Sequence, residues 1–198
     1  YILYLSDMRI NKVIFFALSF AFINLVNAQT EWTGTLNSDW GDPGNWSAGI
    51  PDAFDAVTIP DVVTNDPVIN IPAAVCGALT IQSSGLLTSN NGSNQLTATT
   101  IDVQSGGELS IENGEITVTG TSTIAGTINI EGSGVYDANG DFAATGSITM
   151  DGSGRLEMSG TVTALGTLDD GAGTVEYDGA TQNVLADAYF NLEIDESG

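Results

Sequence analysis

IDVQSGGELSIENGEITVTGTSTIAGTINIEGSGVYDANGDFAATGSITMDGSGRLEMSGTVTALGTLDDGAGTVEYDG, residues 101–179, repeats itself every 20 residues. Gly106, Gly126, Gly146 and Gly166 share one phase, Gly114, Gly134 and Gly154 a second, and Gly120, Gly140 and Gly160 a third. Gly173 and Gly179 arrive one residue early, so the last copy is one residue short. A fixed period of this length is the mark of a solenoid. Between the glycines lie short apolar pairs, each with one polar residue in the middle. That is period-two alternation, the pattern of a half-buried strand. One column of equivalents is Ile116, Tyr136, Leu156 and Val175, with Val118, Ala138, Met158 and Tyr177 beside it. A second is Leu109, Ile128, Ile148 and Leu168, with Ile111, Ile130 and Met150. The third joins Ile124, Ala144 and Ala164 to Ser122, Phe142 and Val162, a small residue against a larger one in each copy, which conserves core volume. Three strands and three glycine corners per turn predict an all-β fold, a single-stranded parallel β-helix of about 20 residues per turn. The pattern sets no handedness.

Outward from this core, the composition narrows the class. The chain of 198 residues holds 24 Gly, no His and only 3 Lys or Arg, and its net charge is −22. Arg155 is the one basic side chain after Lys12. Such a charge excludes nucleic acid and anionic membrane surfaces as natural partners. Cys76 is alone, so no disulfide forms within the chain, and it reads as a small core residue.

Residues 1–28 read as a leader with its start at Met8. Arg9 and Lys12 precede the apolar run VIFFALSFAFINLV (Val13–Val26), and Val26-Asn27-Ala28 is a small-x-Ala cleavage site. This is a secretory signal peptide, too short to serve as a membrane span, and Gln29 is the expected mature N-terminus. No later segment is apolar enough to cross a membrane. The chain is therefore expected outside the cell, secreted or at the cell surface.

Residues 29–72 differ from the repeats. They hold Trp32, Trp40, Trp46 and all 5 Pro. Asp42-Pro43-Gly44-Asn45 is a turn, and Ala56–Ile59 and Pro67–Ile71 are short strands. A solenoid exposes an apolar end that needs covering, and bulky Trp rings suit that role. The competing reading is sugar stacking on exposed faces of Trp32, Trp40 and Trp46. The solenoid is expected over residues 73–188, with Ser89–Gln95 (SNNGSNQ) bulging from one corner. Asn191–Gly198 echoes Ala78–Gly85 at an offset of 113 residues, so residues 189–198 read as the start of a further, truncated repeat module.

Trp32-Thr33-Gly34, Trp40, Asn45-Trp46-Ser47, Ile50-Pro51 and Val57-Thr58-Ile59-Pro60, followed by Leu79-Thr80-Ile81 and glycine-punctuated strands, resemble a segment of secreted Bacteroidota surface proteins. There it stands just after the signal peptide. The resemblance implies a large adhesin-like protein with β-solenoid modules, and export associated with type IX secretion.

Catalysis is hard to build from this inventory. General acid–base work has no His, and no Lys follows the leader. Asp and Glu are plentiful, yet nothing singles out a glycosidase pair. The chain is expected to be non-catalytic and to need no resident cofactor. The one cation argument comes from the repeat. Glu112, Glu131, Asp151 and Asp170 precede equivalent glycine corners, and Asp137, Glu157 and Glu176 form another acidic file. Stacked about 4.8 Å apart, such files would either bridge Ca2+ through carboxylate and turn carbonyl oxygens or stand as a solvated acidic edge. Two functions stay open. One is a structural or adhesive module with an extracellular polysaccharide or protein partner. The alternative is a carbohydrate-binding module attached to a polysaccharide-acting enzyme.

Overall fold

The computed structural model describes residues 28–61 and 63–195. The leader through Asn27, and with it the apolar run, lies outside the described residues, as do Glu196–Gly198 of the echo. Among the described residues no helix is long and apolar enough to cross a membrane. The chain forms β1 (Gln29–Glu31), β2 (Ala56–Ile59), β3 (Val68–Ile69), β4 (Ala74–Ile81), β5 (Leu86–Ser89), β6 (Gln95–Val103), β7 (Glu108–Ile111) and β8 (Glu115–Val118). It continues through β9 (Ser122–Ile124), β10 (Thr127–Ile130), β11 (Val135–Ala138), β12 (Phe142–Met150), β13 (Arg155–Met158), β14 (Val162–Asp169), β15 (Thr174–Tyr177) and β16 (Asn191–Ile194). All named strand pairs are parallel, and they wind into a solenoid of about seven turns.

The coils stack on three faces. One runs from the first half of β4 through the first half of β6 to β8, β11, β13, β15 and β16. The next runs from β1 through β2, the second halves of β4 and β6, and β9 to the first halves of β12 and β14. The third runs from β3 through β5, β7 and β10 to the second halves of β12 and β14. The predicted columns stand in register: Ile116 pairs with Tyr136, Tyr136 with Leu156, and Leu156 with Val175. Leu109, Ile128, Ile148 and Leu168 align likewise. All of these are buried except Leu168, which is half-buried against the core.

Two positions depart from the expected columns. A bulge in β14 pairs Ala143 with Ala164 and Ala144 with Leu165. The core position expected for Ala164 therefore belongs to Leu165, which is 4% exposed. One extra residue lets the chain bury a branched side chain opposite the small Ala144. The second departure is at the following corner. Thr149 pairs with Asp169, so Asp170 follows opposite Met150 and not opposite Asp151. The short copy has lost its residue from this corner, between Asp170 and Thr174.

That edge of the prism varies in length throughout. The chain passes from Ser89 to Gln95, Ile111 to Glu115, Ile130 to Val135, Met150 to Arg155 and Asp170 to Thr174 without disturbing the strands on either side. At the same edge Gly132 and Gly152 have φ of 58° and 77°, a region that costs other residues about 1–2 kcal/mol. Elsewhere glycine is needed for clearance. A Cβ on Gly146 would lie 1.9 Å from the carbonyl oxygen of Gly126 in the coil before.

At the N-terminal end the three Trp rings form an edge-to-face chain. Trp46 lies 4.9 Å from Trp32 and 4.7 Å from Trp40, centroid to centroid. The chain around them is tied to the first coil, since Trp32 N donates to Thr58 O and Trp40 N to Val68 O. Buried Asn45 organises the loop: its Oδ1 accepts from Leu36 N and Asn37 N, and its Nδ2 donates to Asn37 Oδ1 and Asp39 O. Residues 29–72 thus include both the cap and the first strands of the solenoid. At the other end β16 pairs with β15 and extends the same face by one more rung. The echo accordingly sits on different faces: Leu79–Ile81 belongs to the second, Leu192–Ile194 to the first.

The interior holds one long polar reach. Tyr136 crosses the core and donates its hydroxyl to Ser122 Oγ at 2.9 Å, with its ring edge-on to Phe142. Ser122 is small because Tyr136 fills the space it leaves. Burial pushes the Tyr136 hydroxyl well above the ordinary phenol range.

Two outcomes follow for urea unfolding. Ser122→Ala leaves the buried Tyr136 hydroxyl without its acceptor and should cost about 1–3 kcal/mol, whereas adding Tyr136→Phe should recover most of that loss. Gly146→Ala should destabilise by more than about 2 kcal/mol because backbone of the neighbouring coil cannot withdraw. A Gly146→Ala protein as stable as the parent would contradict the stacking described here.

Candidate functional site

The acidic side chains that the sequence placed in files follow from strand alternation. On the first face, Leu156 and Val175 point inward, so Glu157 and Glu176 between the inward pairs point out. The register stacks Thr117, Asp137, Glu157, Glu176 and Glu193 in one outward line. This line is longer than expected, because Glu193 on β16 joins it.

Arg155 stands beside this line, two residues before Glu157 and in register with Val135 and Thr174. Its Nε donates to Glu157 at 2.8 Å, and its Nη2 donates to Glu176 and, at 2.8 Å, to Glu193. The single basic side chain beyond the leader therefore links carboxylates on three successive coils. These carboxylates hold the guanidinium firmly charged, with Glu193 the largest contributor, then Glu157, and burial opposing. Sequence reasoning gave Arg155 no partner. The signal was present only as position: Arg155 lies two residues before Glu157 and one coil before Glu176.

Neighbouring carboxylates lack such a cation. Burial holds Asp137 above the ordinary carboxylate value, opposed by a bond from Asn139 Nδ2 and reinforced by Glu157, Asp178 and Glu115. Asp178 is raised by burial first, and Glu176 and Asp195 add to it while its own backbone amide opposes. The face is a charge-dense strip with its one cation at the C-terminal half.

The other acidic file is broken. Glu131 and Asp151 are exposed and follow paired residues Ile130 and Met150, and Glu112 is half-buried one coil earlier. Asp170 does not join them. It continues the inward column of Ile111, Ile130 and Met150, is 7% exposed, and its Oδ2 accepts from Phe190 N. A calcium file of Glu112, Glu131, Asp151 and Asp170 is corrected to three outward carboxylates and one inward cap. Among the described residues no group of three or more His, Cys, Asp or Glu is placed to hold a metal ion.

The carbohydrate platform is corrected too. Trp32 and Trp40 are fully buried and Trp46 is 5% exposed, so no ring face is open to stack a sugar. Trp46 Nε1 donates to Trp40 O and Trp32 Nε1 to Asn65 O, which consumes two of the indole donors internally. Cys76 is buried beneath the second coil, and burial pushes its thiol up to about 12, with Asp55 adding to the effect. Such a thiol is inert as a nucleophile.

Parallel strands on three faces, a closed apolar core and a tryptophan-capped end define a β-solenoid protein. Residues 31–153 match the model of a domain of unknown function, DUF8693, and the chain belongs to that family. The match runs from the cap to the corner after β12, so Arg155 and its three partners lie beyond it. No curated protein and no solved structure matches the chain.

Two measurements bear on the acidic face. Arg155→Gln should lower stability by about 1–2 kcal/mol at low salt, and the loss should shrink near 1 M NaCl, where the Debye length is about 3 Å. Stability should also rise as pH falls from neutral toward the ordinary carboxylate value. Asp137 and Asp178 have raised values in the folded state, so above the ordinary value of 3.8 the native chain binds more protons than the unfolded one. Stability is then lost as pH rises through that window, and Asp137→Asn should flatten the slope in thermal melts taken across it.

Proposed function

We propose that this chain is a non-catalytic structural and adhesive module of an exported cell-surface protein. The observation that carries the reading is the unbroken parallel ladder over a filled interior. Seven coils at about 4.8 Å give a stiff element roughly 30 Å long. Among the described residues its interior is packed with apolar side chains. The chemistry of the surface agrees: the chain has no His, and its one basic group beyond the leader is engaged by three carboxylates. A net charge of −22 keeps such a rod soluble and repels like copies.

Export is supported by the leader reading, with its positive start, apolar run and cleavage site before Gln29. The resemblance of the Trp-rich segment to secreted Bacteroidota surface proteins supports a place on the cell exterior. The buried indoles leave the carbohydrate-binding reading without a platform.

The test is expression of the chain with its leader in a diderm bacterial host, followed by N-terminal sequencing and protease shaving of intact cells. The expected result is a mature chain beginning at Gln29 that is cut in intact cells. A chain retained in the cytoplasm with its leader uncleaved would overturn the export reading.

A further inference from the structure

Asn-Gly occurs at three places in the sequence: Asn91-Gly92, Asn113-Gly114 and Asn139-Gly140. Each pair carries the same reactive arrangement. The side-chain amide carbon lies within reach of the next backbone nitrogen, and glycine has no side chain to obstruct a five-membered ring. Closing that ring requires the peptide between the two residues to turn. All three Asn are exposed, yet the coils hold the pairs very differently.

Two pairs are locked between coils. Gly140 lies against the coil on either side: a Cβ on it would meet Gly120 O at 2.3 Å, and a Cβ on Gly160 would meet Gly140 C at 2.3 Å. Asn139 is held at both ends, since its N donates to Val118 O and its Nδ2 to Asp137 Oδ2. Gly114 is buried, and a Cβ there would lie 1.8 Å from Ser89 Oγ. Asn113 Oδ1 accepts from Ser133 N and Oγ, and a Cβ on Gly132 of the next coil would stand 2.6 Å from it. Asn91-Gly92 is different. Gly92 is exposed, and a Cβ on it would meet a single atom within 4 Å, Asn113 O at 3.2 Å. Ser93 N donates to Asn91 Oδ1 at 3.0 Å. That donor is already in place for the negative charge that grows on Oδ1 when Cγ is attacked.

We propose that Asn91-Gly92 is a self-modification site, at which the chain converts a neutral corner into an acidic one without an enzyme. Gly92 N attacks Asn91 Cγ and gives its proton to solvent hydroxide. The new N–C bond closes a succinimide. The Cγ–Nδ2 bond breaks, and water returns a proton to the departing ammonia. Water then opens the ring and restores the Gly92 N–H. Addition at Cγ leaves aspartate, and addition at the main-chain carbonyl carbon leaves isoaspartate, with the chain running through Cγ. Nothing is oxidised or reduced, and either product carries a carboxylate in place of the amide. The new charge joins the edge that already bears Glu112, Glu131 and Asp151. Isoaspartate lengthens the main chain by one carbon at the edge where corner length varies without cost to the strands. Beyond it the loop stays anchored, because buried Asn94 donates from Nδ2 to Ile69 O and accepts at its carbonyl from Glu115 N. The inference goes beyond the proposed function and holds whether or not the chain is exported.

The experiment incubates the whole chain at mildly alkaline pH, folded and in guanidinium chloride, and follows each Asn by peptide mapping with mass spectrometry. In denaturant the three sites should convert at similar rates, because glycine follows each. In the folded chain Asn91 should keep at least its unfolded rate. Asn113 and Asn139 should fall at least about 10-fold behind it, since they react only from locally opened molecules. Asn91→Gln should melt like the parent and show no early conversion. The chain converted at Asn91 should melt at the parent's midpoint. The proposal is overturned if folded Asn113 or Asn139 converts as fast as Asn91, if folding slows Asn91 below its unfolded rate, or if conversion lowers the melting midpoint.

Discussion

Everything in this molecule follows from the spacing of one coil on the next. Parallel strands must lie about 4.8 Å apart, and each coil must return to the same place after one circuit. The backbone has little freedom left once both conditions hold. At Gly146 the preceding coil approaches so closely that a methyl group would meet a carbonyl oxygen at 1.9 Å. Glycine there is a requirement of contact between two stretches of main chain, and the apolar columns come into line only because that contact is permitted. The charged surface obeys the same spacing, since outward residues stack as regularly as inward ones.

Much of this was legible in the sequence because alternation and period report side-chain direction without any long-range knowledge. Ile116, Tyr136, Leu156 and Val175 needed only counting. Counting failed where the chain departs from constant length. The bulge that inserts Leu165 is undone before Thr167, so the glycines on either side keep their phase, and the residue missing after Asp170 hides that Asp170 still stands opposite Met150. The tryptophans were open to two readings for a different reason. Composition shows that three large rings are present, whereas burial is decided by the loop that Asn45 holds closed. Arg155 escaped notice because its partners lie on three coils, and only the register makes them neighbours.

The electrostatics of the first face show how an acidic protein tolerates stacking. Five coils place Thr117, Asp137, Glu157, Glu176 and Glu193 in one line. The early part of the line is relieved by threonine and by Asn139, which bonds to Asp137. The later part, where three glutamates follow one another, holds the one arginine. Isolated surface ion pairs contribute little, but one cation shared by three carboxylates on successive coils also removes repulsion among them. The arrangement binds the last rungs to the body of the solenoid at the end that the tryptophan cap does not reach.

The edge of unequal corners has a consequence for how such a chain changes over time. From Ser89 to Gln95 the polypeptide makes a wide polar excursion, while from Ile111 to Glu115 it turns in the shortest way, and the ladders on both sides are unaffected. Insertions and deletions at this edge therefore leave the hydrophobic columns in place, whereas inside the strands one added residue reverses the side chains after it unless a bulge absorbs it, as in β14. Such an edge separates inheritance of the scaffold from variation of what it displays. Polar loops of differing length can be carried in a row along one side of the rod, each anchored by the same rungs, and foreign peptides grafted between Ser89 and Gln95 would be presented without refolding the rest.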